Sequence, residues 1–494
     1  MKNLILLTLL VFTFSSCEDG LDPVLYGSLN PTTFPKTESD YELYTLDLYQ
    51  PFRLTWGFDE GGWRVTFFGP EDGTIQLFDA PTDLMIPFTA WGNGPVFWDA
   101  KSRGNFAPLV AQGRDRSHFE KTRLVTKATQ TIGILEKATE FTHEDFRNEL
   151  LAEAKMARGW TMYFMLELYG PIPVITDPEL VGNIEAESDL TRPARADYVA
   201  KVAEDLRFAA DNLPQTPAEY GRFNKGLALT VLMRLYLNEK DFQMAESVGR
   251  EIQGLGYSLV NDYTSLFKEA TERNSETIFA ISCDPTSQGR QTDGNFNPFS
   301  YYTHPTDFTV APGWAWPGVY TATWEFYDSF DPNDTRRTFL VDSYSPPGYT
   351  IDRDHYMAGP VINKYPAEGS NAYQGNDFVI SRYGDVLLML AEAINENNSG
   401  PTQEAIDMVN AIRTRAHIPN LSSSDTASKT AFNDAILRER GWELYFEGYR
   451  LLDLRRHGKW PSALDGIAGK TPGPSIYPIP QFALDDGCAQ NDGY

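Results

Sequence analysis

Residues 145–169 carry Leu150, Ala154, Ala157, Tyr163, Phe164 and Leu168 at the spacing that keeps one face of an α-helix apolar. Gly170-Pro171 closes the run, because proline cannot extend the hydrogen-bond ladder. A helix of this length is a spine on which others must pack. The same period organises residues 40–49, 118–139 (Leu124, Ala128, Ile132, Leu135), 197–212, 223–238, 241–253, 379–395 and 402–416. The chain is therefore predicted to be mainly α, with minor β.

Two pairs of these helices carry a repeat signal. Segments 223–238 and 241–253 are separated by a tight turn, and Tyr236 and Ala245 stand at the Tyr-to-Ala interval of a tetratricopeptide unit. Ala393 and Ala405 repeat such an interval near the C-terminus. Small residues at these places let antiparallel helices approach closely, so the expected scaffold is a tetratricopeptide-like helical repeat.

Two long stretches, 51–113 and 284–318, lack helical periodicity and are rich in Gly, Pro and aromatics. Long irregular loops in a compact protein usually carry function. Trp56, Trp63, Trp91 and Trp98 fall in the first, and Trp314 and Trp316 in the second, with Tyr301, Tyr302 and Tyr320 in or beside it. Sugars pack their C–H faces on flat aromatic rings while their hydroxyls need polar partners. Asn93, Asp99, Arg103 and Asn105 supply such partners near Trp91 and Trp98. Trp98 and Trp316 are the expected platforms, with Trp91, Trp314 and Tyr320 as further ligand-binding residues, whereas Trp324 precedes a helix-like stretch and is expected in the core.

The N-terminus reads as an export signal, with Lys2 followed by a short apolar run that ends at Phe14-Ser15-Ser16-Cys17, a pattern that resembles a lipobox. Cleavage over residues 1–16 would leave Cys17 for acylation, and residues 17–36 would tether a single domain over 37–494. Two or three acyl chains anchor a protein without spanning the bilayer. Glu18 and Asp19, directly after the cysteine, resemble a surface-export signal. No later stretch is long and apolar enough to cross lipid as a helix.

A net charge of −26, with 68 acidic against 42 basic residues, disfavours nucleic acid as a partner. Beyond Cys17 only Cys283 and Cys488 remain, too few for a disulfide framework and without zinc spacing; their bonding is left open. The six histidines show no metal-ligand spacing. No GxSxG, HExxH, Walker loop or nucleotide-binding glycine fingerprint is present, so no catalytic residue, metal or cofactor is assigned and the chain is read as a binding protein.

Several blocks resemble the SusD/RagB family of outer-membrane lipoproteins. They are Glu153-Ala154-Lys155-Met156-Ala157-Arg158 leading to Leu168-Tyr169-Gly170-Pro171, then Gly221-Arg222-Phe223-Asn224, then Arg382-Tyr383-Gly384-Asp385, and above all Arg438-Glu439-Arg440-Gly441-Trp442-Glu443 with Phe446-Glu447-Gly448-Tyr449-Arg450. The order extends to Tyr477-Pro478-Ile479-Pro480 and the terminal Gln490-Asn491-Asp492-Gly493-Tyr494, where Asp492 replaces a common proline and Gly441 a bulkier residue. The resemblance implies a helical lid on a SusC-like TonB-dependent outer-membrane barrel, facing outward and delivering oligosaccharides, with the ligand face built from the same two aromatic-rich regions. Capture of oligopeptides by this architecture is the alternative, and a glycoside hydrolase is a more distant one. Within the last block, Glu439, Glu443 and Glu447 fall on one helical stripe, with Arg438, Arg440 and Arg450 placed to pair with them in a partly buried ion network.

Overall fold

The computed structural model describes residues 34–54, 66–88, 96–114, 117–284, 295–308, 319–368 and 374–494. Its principal helices are α1 (Glu38–Leu46), α2 (Val96–Arg103), α3 (Thr122–Lys137), α4 (Glu144–Tyr169), α5 (Arg195–Asn212), α6 (Lys225–Asn238), α7 (Phe242–Gln253), α8 (Tyr383–Asn397), α9 (Gln403–Arg415), α10 (Lys429–Leu444) and α11 (Arg450–Arg456). From α3 onward each packs on the next, up to α8, which takes both α9 and α10. That serial packing is the helical-repeat scaffold expected from the sequence.

The spine is α4, buried from Leu150 to Tyr169 with no solvent face left. It ends where expected, at Gly170 with φ of 76°. Gly159 lies where α4 meets α5: a Cβ there would come within 3.1 Å of Asp205 Cβ and 3.2 Å of Leu206 Cγ. Beside this seam Arg158 donates to both Asp205 oxygens, at 2.7 and 2.8 Å, so the buried carboxylate is satisfied by a guanidinium fork. Ala245, Ala393 and Ala405, the small residues of the repeat signal, are completely buried between helices.

Three expectations need correction. Residues 379–382 are not helical: β6 (Phe378–Arg382) pairs antiparallel with β1 (Thr277–Ile281), and α8 starts at Tyr383. The run Val379-Ile380 is β-branched and buried on both faces, so it carries no alternation to separate it from the helix that follows. Two short antiparallel pairs, β2 (Leu340–Val341) with β5 (Val361–Ile362) and β3 (Ser343–Tyr344) with β4 (Ile351–Asp352), add the remaining strand structure among the described residues.

The first aromatic-rich stretch is in large part core. Residues 66–85 are almost all buried around a single π-helical turn, Ile75–Asp79, whose period gives no α-helical signal. Asp79 accepts the N–H groups of Gly448 at 2.8 Å and of Tyr449 and Arg450 at 3.0 Å, which ties this segment to the C-terminal block. Burial still pushes its carboxyl up to about 7.

The C-terminal charges form a buried network with different partners from those expected. The helix ends at Leu444, and Phe446 turns the chain at φ of 60°, so Glu447 leaves the stripe. Glu439 meets Arg336 and Arg413, both at 2.7 Å, while Glu443 takes Arg336, Arg382 and Arg415. Glu447 meets Lys364 at 2.6 Å and Arg382 at 2.8 Å. Arg440 instead pairs with Asp385 and Asp453, Arg450 with Asp83, and Arg438 with Asp425 at the surface. The acidic stripe faces the interior, so its cations come from distant elements rather than from its own helix.

Candidate functional site

The two aromatic-rich regions are fastened to the scaffold at shared points. Met85 and Ala322 form an antiparallel bridge, Ile86 donates to the Thr321 carbonyl at 3.0 Å, and Thr323 donates to Leu84 at 3.0 Å. Phe88 meets Tyr320 edge to face at 5.7 Å. Thus Phe88, the last described residue before segment 89–95, touches Tyr320, the second described residue after segment 309–318. A second junction gathers Leu54, which donates to Asn295 Oδ1 at 3.2 Å, Asp284, which donates to the Asn295 carbonyl at 2.9 Å, and the Asn297–Gln374 bridge. Backbone hydrogen bonds hold these described borders together.

Of the expected ligand residues, Trp91, Trp314 and Trp316 lie outside the described residues, as do Trp56, Trp63, Asn93 and Cys17. Two others are corrected. Trp98 sits on α2 at 6% exposure as part of the main core, and Tyr320 is 0% exposed. The Tyr320 hydroxyl donates to the Pro70 carbonyl and its ring packs on Phe88 and Phe446, at 5.7 and 5.8 Å. Burial pushes this phenol well above its usual range. A sugar platform must offer a ring face to solvent, and neither side chain has one free. Tyr301 and Tyr302 are buried as well, with Tyr302 donating to Glu71 at 2.8 Å. Trp324 is half-buried against the core and carries Arg353 over its ring at 4.7 Å.

The polar partners on α2 are engaged with each other. Arg103 Nε lies 2.9 Å from both Asp99 oxygens, and its Nη1 donates to the Gly469 carbonyl at 2.9 Å. Both stay about one-third exposed, so a hydroxyl-bearing ligand can still reach them. Asn105 caps the next turn through its contact with the Ala107 N–H.

Sequence reasoning missed an aromatic pair beside the second region. Tyr344 and Tyr349 donate to the two oxygens of Asp307, at 2.9 and 3.0 Å, just before segment 309–318, and Tyr349 is 50% exposed. The only sequence signal is the Pro346-Pro347-Gly348 turn that brings the two rings back together.

Other reactive groups are accounted for structurally. Cys283 and Cys488 are free thiols, and burial pushes that of Cys283 well above its usual range. His118 is buried with Nε2 on the Asp72 carbonyl. Among the described residues, no group of His, Cys, Asp and Glu is arranged to hold a metal ion, and no helix is long and apolar enough to cross a membrane.

Comparison with known proteins is consistent along the chain. Residues 343–492 match the family described as "SusD family", and residues 123–237 match "Starch-binding associating with outer membrane". The chain is similar to SusD-like protein P25 of Formosa agariphila, with 24% identity, 92% of this chain and 90% of that protein being covered. Among solved structures it resembles a laminarin binding SusD-like protein, at TM-score 0.74 and 21% identity over 93% of this chain and 100% of the other. It also resembles surface glycan-binding protein A from Bacteroides thetaiotaomicron in complex with laminarihexaose, at TM-score 0.74 and 20% identity over 93% of this chain and 100% of the other. These structural likenesses show a shared fold.

Proposed function

Because this chain belongs to the SusD/RagB family, we propose that it captures an oligosaccharide at the cell surface and passes it to a SusC-like TonB-dependent outer-membrane barrel. In this reading residues 1–16 are a signal peptide, residues 17–36 a lipid-anchored tether through Cys17, and residues 37–494 the single binding domain. The protein works at the outer membrane, without catalysis.

The observation that carries the glycan reading is the junction at Met85 and Ala322. It joins residues 84–86, which precede Trp91 in the chain, to residues 321–323, which follow Trp314 and Trp316, and the partly exposed Asp99–Arg103 pair and exposed Tyr349 belong to described parts of the chain near these regions in sequence. Rings from two regions joined in this way can flank one sugar chain, and the polar pair supplies hydroxyl partners. Named relatives of the same fold bind laminarin or laminarihexaose, which supports a glycan ligand here.

The test is a glycan array probed with the protein, followed by isothermal titration with the best ligand and an assay for new reducing ends. Saturable binding without turnover supports the proposal. Sustained release of reducing ends, or no binding to any glycan alongside binding to oligopeptides, overturns it.

A further inference from the structure

Three tyrosines, Tyr220, Tyr349 and Tyr356, stand out into solvent among the described residues. Tyr220 carries Arg273 over its ring at 4.0 Å, and the hydroxyl of Tyr356 makes no hydrogen bond among the described residues. Tyr349 differs from both. Its hydroxyl donates to Asp307 Oδ2 at 3.0 Å, while no other aromatic ring or cation among the described residues covers its ring. It is both held and open.

The chain around it fixes that ring. The Pro346-Pro347-Gly348 turn is closed by the Tyr349 N–H on the Pro346 carbonyl at 3.3 Å, and Gly348 takes φ of 95° to return Tyr349 towards Tyr344. Tyr344 donates to the other oxygen of Asp307 at 2.9 Å and packs edge to face on Phe308 at 5.1 Å. Phe308 in turn meets buried His304 at 4.8 Å. The hairpin of β3 and β4 is thus tied through residues 304–308 to the body of the fold. A ring fixed before a ligand arrives has little side-chain entropy left to lose on binding.

The charge beside the ring has no cation to offset it. Asp307 is held by the two phenols and makes no ion pair among the described residues. This bond is the main cause of the raised pKa of Tyr349, whereas burial comes first for Tyr344 and the bond second, so both remain proton donors. A carboxylate has about four lone-pair sites, and two phenols leave the others for further O–H donors. The two basic residues of the hairpin are engaged elsewhere: Arg353 pairs with Asp328 at 2.8 Å, and His355 with Asp352 at 2.7 Å. An acidic ligand group beside Tyr349 would therefore meet like charge, whereas a hydroxyl would find an acceptor.

We propose that Tyr349 and Asp307 form a subsite for one uncharged sugar unit, whose C–H face stacks on the Tyr349 ring while a hydroxyl donates to Asp307. The same carboxylate makes the subsite reject units that bear a carboxylate or a sulfate. The choice of a sugar rests on the glycan reading above, and the preference for a neutral unit rests on the charges around Asp307.

The test is an array of neutral, uronate-bearing and sulfated oligosaccharides, followed by isothermal titration of the full chain in detergent with its strongest neutral and strongest acidic members. The neutral one should bind more tightly. Tyr349→Ala should weaken it about fivefold or more, with a melting temperature near the parent's because the side chain is half-exposed. Asp307→Asn, which keeps an acceptor for a phenol, should shift the preference towards the acidic member about threefold or more at low ionic strength. An acidic oligosaccharide as the tightest binder, Tyr349→Ala that binds the neutral one like the parent, or Asp307→Asn with the parent's preference each overturns the subsite and leaves the glycan reading standing. An array on which no oligosaccharide binds overturns both.

Discussion

Glu443 on α10 and Arg382 at the end of β6 are both fully buried and share a charge-assisted hydrogen bond, which joins the last helical block to the sheet. Arg336, at 3.0 Å, and Arg415 converge on the same carboxylate. Burial opposes its ionisation, but the three guanidiniums together hold Glu443 far below the usual range.

Removing that carboxylate leaves three buried cations short of a partner. Glu443→Gln is expected to destabilise the fold by about 3–5 kcal/mol, the range seen when one partner of a buried pair is lost. Arg438→Ala breaks only the surface pair with Asp425 and should change stability by less than about 1 kcal/mol. Urea unfolding followed by circular dichroism measures both, and equal losses would contradict the burial argument.

The aromatic residues should separate into two classes. Trp98→Ala, at a core position, should cost about 3–5 kcal/mol of stability. Trp91→Ala, Trp314→Ala and Trp316→Ala should each weaken binding of the array-identified glycan by about 1–3 kcal/mol with melting temperatures near the parent's. Calorimetry and thermal melts on the four variants check this; three tryptophan variants that bind like the parent would put the glycan site elsewhere.

Lys470 donates to the carbonyls of Ala80 and Ser102, each at 2.7 Å, and burial pulls its pKa from 10.5 down to about 7. The unfolded lysine keeps its proton up to the ordinary value, so between pH 7 and 10.5 the unfolded chain holds more protons and stability rises with pH. Below pH 6 both states are charged and the term is flat. In Lys470→Met the term vanishes, so parent stability minus variant stability should grow from pH 7 to pH 9. A constant difference across that window would mean that the buried amine does not titrate there.

Acylation at Cys17 is expected to be the only membrane attachment of the isolated protein. Cys17→Ala expressed without its barrel should move from the membrane pellet to the soluble fraction, because two or three acyl chains supply the anchoring energy. Mass spectrometry of the parent should show the lipid mass on the N-terminal peptide. Persistent sedimentation of the variant with membranes would count against the anchor.

The sequence by itself determined the scaffold. The apolar period that makes α4 a spine, the stop at Gly170-Pro171, and the small residues Ala245, Ala393 and Ala405 at helix seams are local signals, and the structure places each in its expected role. Tertiary structure decided the rest. Whether Trp98 or Tyr320 shows a ring face to solvent depends on which distant residues cover it, and the groups around Tyr320, namely Phe88, Pro70 and Phe446, come from separate parts of the chain. The partners of Glu439, Glu443 and Glu447 were equally beyond reach, because a helical stripe fixes only its neighbours three and four residues away. Glu439 and Glu443 on that stripe, and Glu447 beyond it, meet cations from Arg336, Lys364, Arg382, Arg413 and Arg415, which only the folded chain brings together.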